Sequence, residues 1–251
     1  MATELNDAIT GLYKAFGSYP RPERIEACPC GCTEPGATKP LVAATLPQLS
    51  LHDLANYSFS AMTTQGTVDD FRYLLPRLFE GITEEGFGYD PEVLFGKMRY
   101  ARWMTWPSHE VLAVRSYLHA LWRNALRSFP LQSSMPAFAE IEQVLDSIAQ
   151  TGEDLSSYLK VWSNVNQESA DRHLIQFVTM HGAAFDDGRT LEHGFWQESK
   201  QAAQSLRSWL LQPSMIERVI RGAHYLADDG FDHLFAPALS MLQREAGVPS
   251  S

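Results

Sequence analysis

Cysteine is scarce in this sequence: three residues among 251, all between positions 28 and 32. A disulfide framework spreads an even number of cysteines along a chain, so this pattern argues against an oxidised, secreted scaffold. Basic side chains are also in deficit, 20 against 30 acidic ones, which leaves a formal charge of −10. Such a surface repels phosphate backbones and anionic membranes, because affinity for both comes from clustered Lys and Arg. Long apolar runs are missing, and nothing approaches the ~20 residues needed to cross a bilayer. The opening Met1-Ala2-Thr3-Glu4-Leu5 lacks the basic and apolar regions of a secretory signal. Together these absences lead us to expect a soluble cytoplasmic protein that binds neither nucleic acid nor membrane. Its expected partner is another protein, basic in character.

Catalytic signatures are lacking as well. No Gly-rich loop ends in Lys-Ser/Thr, and no Gly-x-Ser-x-Gly elbow occurs. Ser157-Tyr158-Leu159-Lys160 matches Ser-x-x-Lys, but its usual companions are absent. His173, His181, His193, His224 and His233 fall in the C-terminal half without a His-x-His or His-Glu-x-x-His arrangement. Asp186-Asp187-Gly188 and Asp228-Asp229-Gly230 lack calcium-loop spacing and read as turns between helices. Alternating strand patterns are nearly missing; the best, Leu41 to Leu46, is short and meets Pro47.

What the chain does have is helical periodicity. Leu5, Ile9, Leu12 and Phe16 share one helical face, as do Val111, Val114, Leu118, Leu121 and Ala125. Ile216, Val219, Ile220 and Ala223 repeat the pattern, with Glu217 and Arg221 as an i,i+4 pair. Ser50, Asp90-Pro91-Glu92 and Ser108 mark helix starts. The expectation is an all-α fold: a single domain over 1–251 of about eleven helices, as an irregular bundle or stacked, solenoid-like pairs. An irregular Pro- and Cys-rich segment runs from about 19 to 49 and contains six of the fourteen prolines.

Two local features could carry chemistry. Cys28-Pro29-Cys30-Gly31-Cys32 offers three thiolates in a turn-prone setting, the preferred ligands of zinc. The gaps of one residue depart from the usual two, and no second cysteine pair exists, so a fourth ligand comes from elsewhere; His52 is the nearest histidine in sequence. Ordinary thiols in a Pro/Gly turn are the alternative. The second feature is Asp69 to Glu80, in which Phe71, Leu74, Leu75, Leu78 and Phe79 keep helical spacing through Pro76. Thr67 and Asp70 form a capping box, and a helix bent at the proline presents Arg72, Arg77 and Glu80 as candidate binding residues.

Phe71-Arg72-Tyr73-Leu74-Leu75-Pro76-Arg77-Leu78-Phe79-Glu80, downstream of clustered cysteines, resembles a group of uncharacterised bacterial all-helical proteins. The resemblance covers roughly the first half of the chain. It implies a helical fold and a bacterial origin, and no active residue. The leading functional expectation is a non-enzymatic protein-binding protein, an adaptor or a toxin-neutralising, immunity-type protein. The alternative is a zinc-dependent enzyme or sensor built on Cys28, Cys30 and Cys32 with His52.

Overall fold

A computed structural model describes residues 3–31, 33–88, 90–228 and 232–248. Helix accounts for 69% of the described residues and no strand forms among them, so the fold class is all-α. Eleven α-helices follow one another among the described residues: α1 (Thr3–Phe16), α2 (Leu51–Ser60), α3 (Val68–Gly81), α4 (Pro91–Tyr100), α5 (Ser108–Arg127), α6 (Ile141–Gln150), α7 (Ser156–Asn164), α8 (Glu168–His181), α9 (Lys200–Leu210), α10 (Pro213–Gly222) and α11 (Asp232–Ala246). No helix among the described residues is long and apolar enough to cross a membrane. Contacts divide the chain into two compact units: residues 1–124 with 134–139, and residues 125–133 with 140–251.

In the first unit, the apolar stripe of α1 (Leu5, Ile9, Leu12 and Phe16) is buried, and α1 and α2 both pack on α3. α3 opens with the expected capping box. Asp70 N–H donates to Thr67 Oγ1 at 3.2 Å, and Thr67 N–H donates back to Asp70 Oδ2 at 2.8 Å. The helix then continues through Pro76 to Gly81. Its C-terminal carbonyls need donors from outside the helix. Tyr117 supplies one, its Oη donating to the Phe79 carbonyl at 2.8 Å while its ring stacks on Phe79 at 4.6 Å. Ser50 caps α2 by accepting from Asp53 N–H at 3.1 Å. Asp90 precedes α4 as expected, with Pro91 at its first position, but its side chain makes no capping bond. Ser108, read as a cap, lies one residue further in, as the first residue of α5.

The irregular stretch is tied down by backbone rather than by helix. Cys28 N–H donates to the Thr64 carbonyl at 2.7 Å, and Gly66 N–H to that of Glu26 at 2.8 Å. Two short 3₁₀ turns, Pro40–Val42 and Leu46–Gln48, break its described residues; the alternating stretch at Leu41 to Leu46 forms no strand.

In the second unit, α8 packs against α6, α10 and α11, while α9 lies against α7 and α10. Trp162 stacks on Trp209 with ring centroids 5.0 Å apart, and their indole N–H groups donate to the Ala170 carbonyl and to Ser163 Oγ. Arg218 closes the end of α7. Its Nη1 donates to the Trp162 carbonyl at 2.6 Å, its Nη2 to that of Val165 at 2.8 Å, and its Nε to Asp171 at 2.6 Å. The α10 stripe differs from the sequence pattern: Met215, Ile216 and Val219 are buried, whereas Ile220 is 38% exposed. Glu217 and Arg221 do approach, at 3.9 Å, with both side chains largely in water. All six tryptophans of the chain are buried.

Candidate functional site

The cysteine turn is positioned by its backbone bonds to the 64–66 turn. Cys28 is half-buried and its Sγ accepts from Cys30 N–H at 3.3 Å; Cys30 is exposed. Cys32 lies outside the described residues. His52 stands exposed on α2, with its Nε2 3.1 Å from the Asn56 amide. Among the described residues, Cys28, Cys30 and His52 join no group of three metal-capable side chains whose ligand atoms lie within 4.8 Å of one another.

Arg72, Arg77 and Glu80 all lie on α3, and their charged ends are engaged within the protein. Arg77, with a nearly buried side chain, holds Glu80 at 3.0 Å and forms a shorter bond to Glu84. Burial works against its charge, but Glu84 and Glu80 outweigh it and raise its pKa. Glu80 also accepts from Tyr13 Oη at 2.6 Å, and burial together with that carboxylate raises the Tyr13 pKa. Arg72 sits 4.6 Å over the Trp106 ring and 3.6 Å from Glu110. Glu110 in turn accepts from Tyr19 Oη at 2.8 Å, and burial with this bond pushes the Tyr19 pKa up to about 12. These are two ion networks, each offsetting part of the cost of charges taken out of water.

Sequence reasoning missed a second constellation, in the second unit. Glu140 immediately precedes α6, Glu142 lies in its first turn, and His181 ends α8. Each offers one ligand atom, and the three atoms lie within 4.8 Å of one another. His181 Nε2 is 3.1 Å from Glu140 Oε2. The Trp196 indole N–H donates to Glu142 Oε1. The Phe177 ring lies 5.3 Å from that of His181, and His193 stacks on His181 at 5.5 Å. Glu140 and Glu142 were visible as neighbours in sequence, but His181 is about forty residues away. No periodicity joins them.

A second carboxylate group, Asp186, Asp187 and Glu245, has the same spacing. Its charge is already answered: Arg244 bonds Asp186, Arg207 bonds Glu245, and Gly188 N–H donates to Glu245 at 3.1 Å. Asp186 and Asp187 form the turn that the sequence implied, with Asp187 in the left-handed region. Of Asp228-Asp229-Gly230, residues 229 and 230 lie outside the described residues.

No family model, curated protein or solved structure matches this chain. The clefts are open rather than enclosed. Two of about 500 and 930 Å³ border α9 and share Gln204 and Ser208. A third, about 600 Å³, runs between α1 and α5 in the first unit. Ala8, Gly11, Ala113 and Ala120 line it as small apolar residues, and Leu112 beside them is 63% exposed. Asp7, His119 and the Glu4–Arg123 ion pair, at 2.8 Å, rim it.

Proposed function

We propose that this chain is a non-enzymatic protein-binding protein, which seats an amphipathic helix of a basic protein partner in the groove between α1 and α5. The observation that carries the reading is Gly11. Glycine in a helix interior costs roughly 0.5–1 kcal/mol relative to alanine. That cost usually reflects a close neighbour or a backbone angle that only glycine accepts. At Gly11 neither applies: a Cβ would meet nothing within 4 Å, and φ is helical. The missing side chain leaves room in the groove and serves no contact inside the protein. A small apolar floor with charged residues of both signs around it matches the anatomy of interfaces, an apolar centre with a polar rim. Small residues let a partner helix approach closely, and helix-in-groove docking is a recurring recognition mode. The net charge of −10 speeds encounter with a basic partner. An adaptor or a toxin-neutralising, immunity-type protein has these properties.

Gly11→Gln tests the reading, since its Cβ meets nothing within 4 Å and its side chain adds bulk where Gly11 lines the groove. Tagged wild-type and variant proteins are compared in pull-downs over a range of salt, with circular dichroism confirming the fold. The expected result is a stoichiometric basic protein on the wild type and at least a tenfold loss on the variant. Recovery of no such protein at any salt overturns the binding function; equal recovery on both proteins overturns the groove.

A further inference from the structure

α6 carries a polar stripe where a packed helix normally has apolar side chains. Glu142, Asp146 and Gln150 recur every four residues and are 6%, 4% and 2% exposed. At the far end of the stripe the hydrogen bonding closes. Gln150 Nε2 donates to Asp146 Oδ1 and the Phe195 carbonyl, both at 2.8 Å, and lies 3.1 Å from Ser199 Oγ. Glu142 is served far less well. Trp196 donates to its Oε1, and its Oε2 accepts from no described residue. Among the described residues no lysine or arginine forms an ion pair with it. A carboxylate so deeply buried carries a heavy desolvation cost unless a cation offsets it. The charge around it makes that need more acute. From Ser128 to Leu159 the sequence has five acidic residues and no Lys or Arg. The second unit as a whole holds sixteen acidic residues against nine basic ones.

We propose that Glu140, Glu142 and His181 bind a divalent transition-metal cation, zinc by the chemistry of its ligands. One imidazole nitrogen with two carboxylate oxygens is a zinc-type donor set, whereas calcium and magnesium take oxygen alone. Zinc bonds of about 2.0–2.2 Å place tetrahedral ligand atoms roughly 3.4 Å apart. Glu140 Oε2 and His181 Nε2 already lie at 3.1 Å, and all three ligand atoms fall within 4.8 Å. Small side-chain rotations complete the site. Trp196 fixes the Glu142 carboxylate and Phe177 packs on the imidazole ring, the kind of outer support that orients metal ligands. Three protein ligands leave a coordination position open. Glu140 is 25% exposed, and His193, itself exposed, stacks on the His181 ring, so solvent reaches the cluster.

A simpler role would be purely structural, with Glu140 and His181 pairing across the two helix ends; that role requires no metal. Zinc binding is therefore measured directly, by calorimetric titration and elemental analysis of dialysed protein. Three proteins are compared: wild type, a variant with Cys28, Cys30 and Cys32 all changed to Ser, and Glu142→Gln, which keeps an acceptor for Trp196. Wild type and the cysteine-free variant are expected to bind one zinc per chain. Glu142→Gln is expected to bind at least tenfold more weakly, and His181→Gln gives the same readout should the buried substitution impair folding. Cobalt(II) in the site should show d–d absorption without a thiolate charge-transfer band. Loss of stoichiometric zinc from the cysteine-free variant, retention by both Glu142→Gln and His181→Gln, or no zinc on the wild type each overturns the site.

Discussion

His173 gives a direct link between pH and stability in the second unit. Its ring is fully buried, edge-on to Phe129 at 5.0 Å. Nε2 faces the Ala125 carbonyl at 3.1 Å and the Ser128 carbonyl at 2.6 Å, so it carries the proton and donates. Nδ1 is buried with no hydrogen-bond partner. A second proton would add an N–H with no acceptor and a charge out of reach of water. Burial accordingly lowers the pKa, against the opposing pull of the Ser128 and Ala125 carbonyls. In the unfolded chain the imidazole titrates near the ordinary value of about 6.5. Above that pH both states are neutral and the contribution of His173 is complete. As pH falls below 6.5 the unfolded state gains a proton that the folded state refuses, and stability is lost down to the depressed folded value. At pH 5.5 the loss is bounded at about 1.4 kcal/mol, the limit set by the unfolded imidazole alone. His173→Gln retains an N–H donor for the carbonyls and cannot titrate. Hydrogen exchange of the α8 amides, corrected for intrinsic rates, should show the wild type losing protection relative to this variant between pH 7.5 and 5.5. Parallel pH profiles for the two proteins would refute the reasoning.

Two further substitutions probe packing in the same unit. Gly182→Ala places a Cβ 3.0 Å from Ala238 Cβ and 3.4 Å from Val178 Cγ1. Ala238 has no rotamer with which to yield, so the change should cost about 1–3 kcal/mol and lower Tm by about 2–4 °C for each of those; an unchanged Tm would contradict the packing. Arg218→Lys replaces a fork that reaches Asp171, Trp162 and Val165 with a single ammonium. At least one carbonyl at the end of α7 then loses its donor, an expected loss of about 1–3 kcal/mol in urea unfolding. Equal stability of the two proteins would show that those bonds contribute nothing.

The first half of the fold was legible because its signals are local. A stripe such as Leu5, Ile9, Leu12 and Phe16 requires only that apolar groups leave water along one helical face. The Thr67–Asp70 box closes within four residues. Pro76 did not end α3, since the apolar spacing on either side of it holds that helix against its neighbours. The two candidate sites read from the sequence fared differently. Arg72, Arg77 and Glu80 do share α3, but the carboxylates and rings they meet come from residues as distant as Tyr13, Trp106 and Glu110. The cysteine turn acquires its position from the Thr64 and Gly66 backbone.

By itself, the sequence determined the all-α class, the placement of most helices and the surplus of negative charge, because periodicity, capping and composition act over a few residues or over the whole chain. Only tertiary structure decided which polar groups are buried together. Glu142, Asp146 and Gln150 follow a helical spacing that fits a solvent face as readily as a buried one. Their burial, and the meeting of Glu140 and Glu142 with His181, follow from how α6 and α8 pack, and packing between distant segments leaves no periodic trace in the residues that share it.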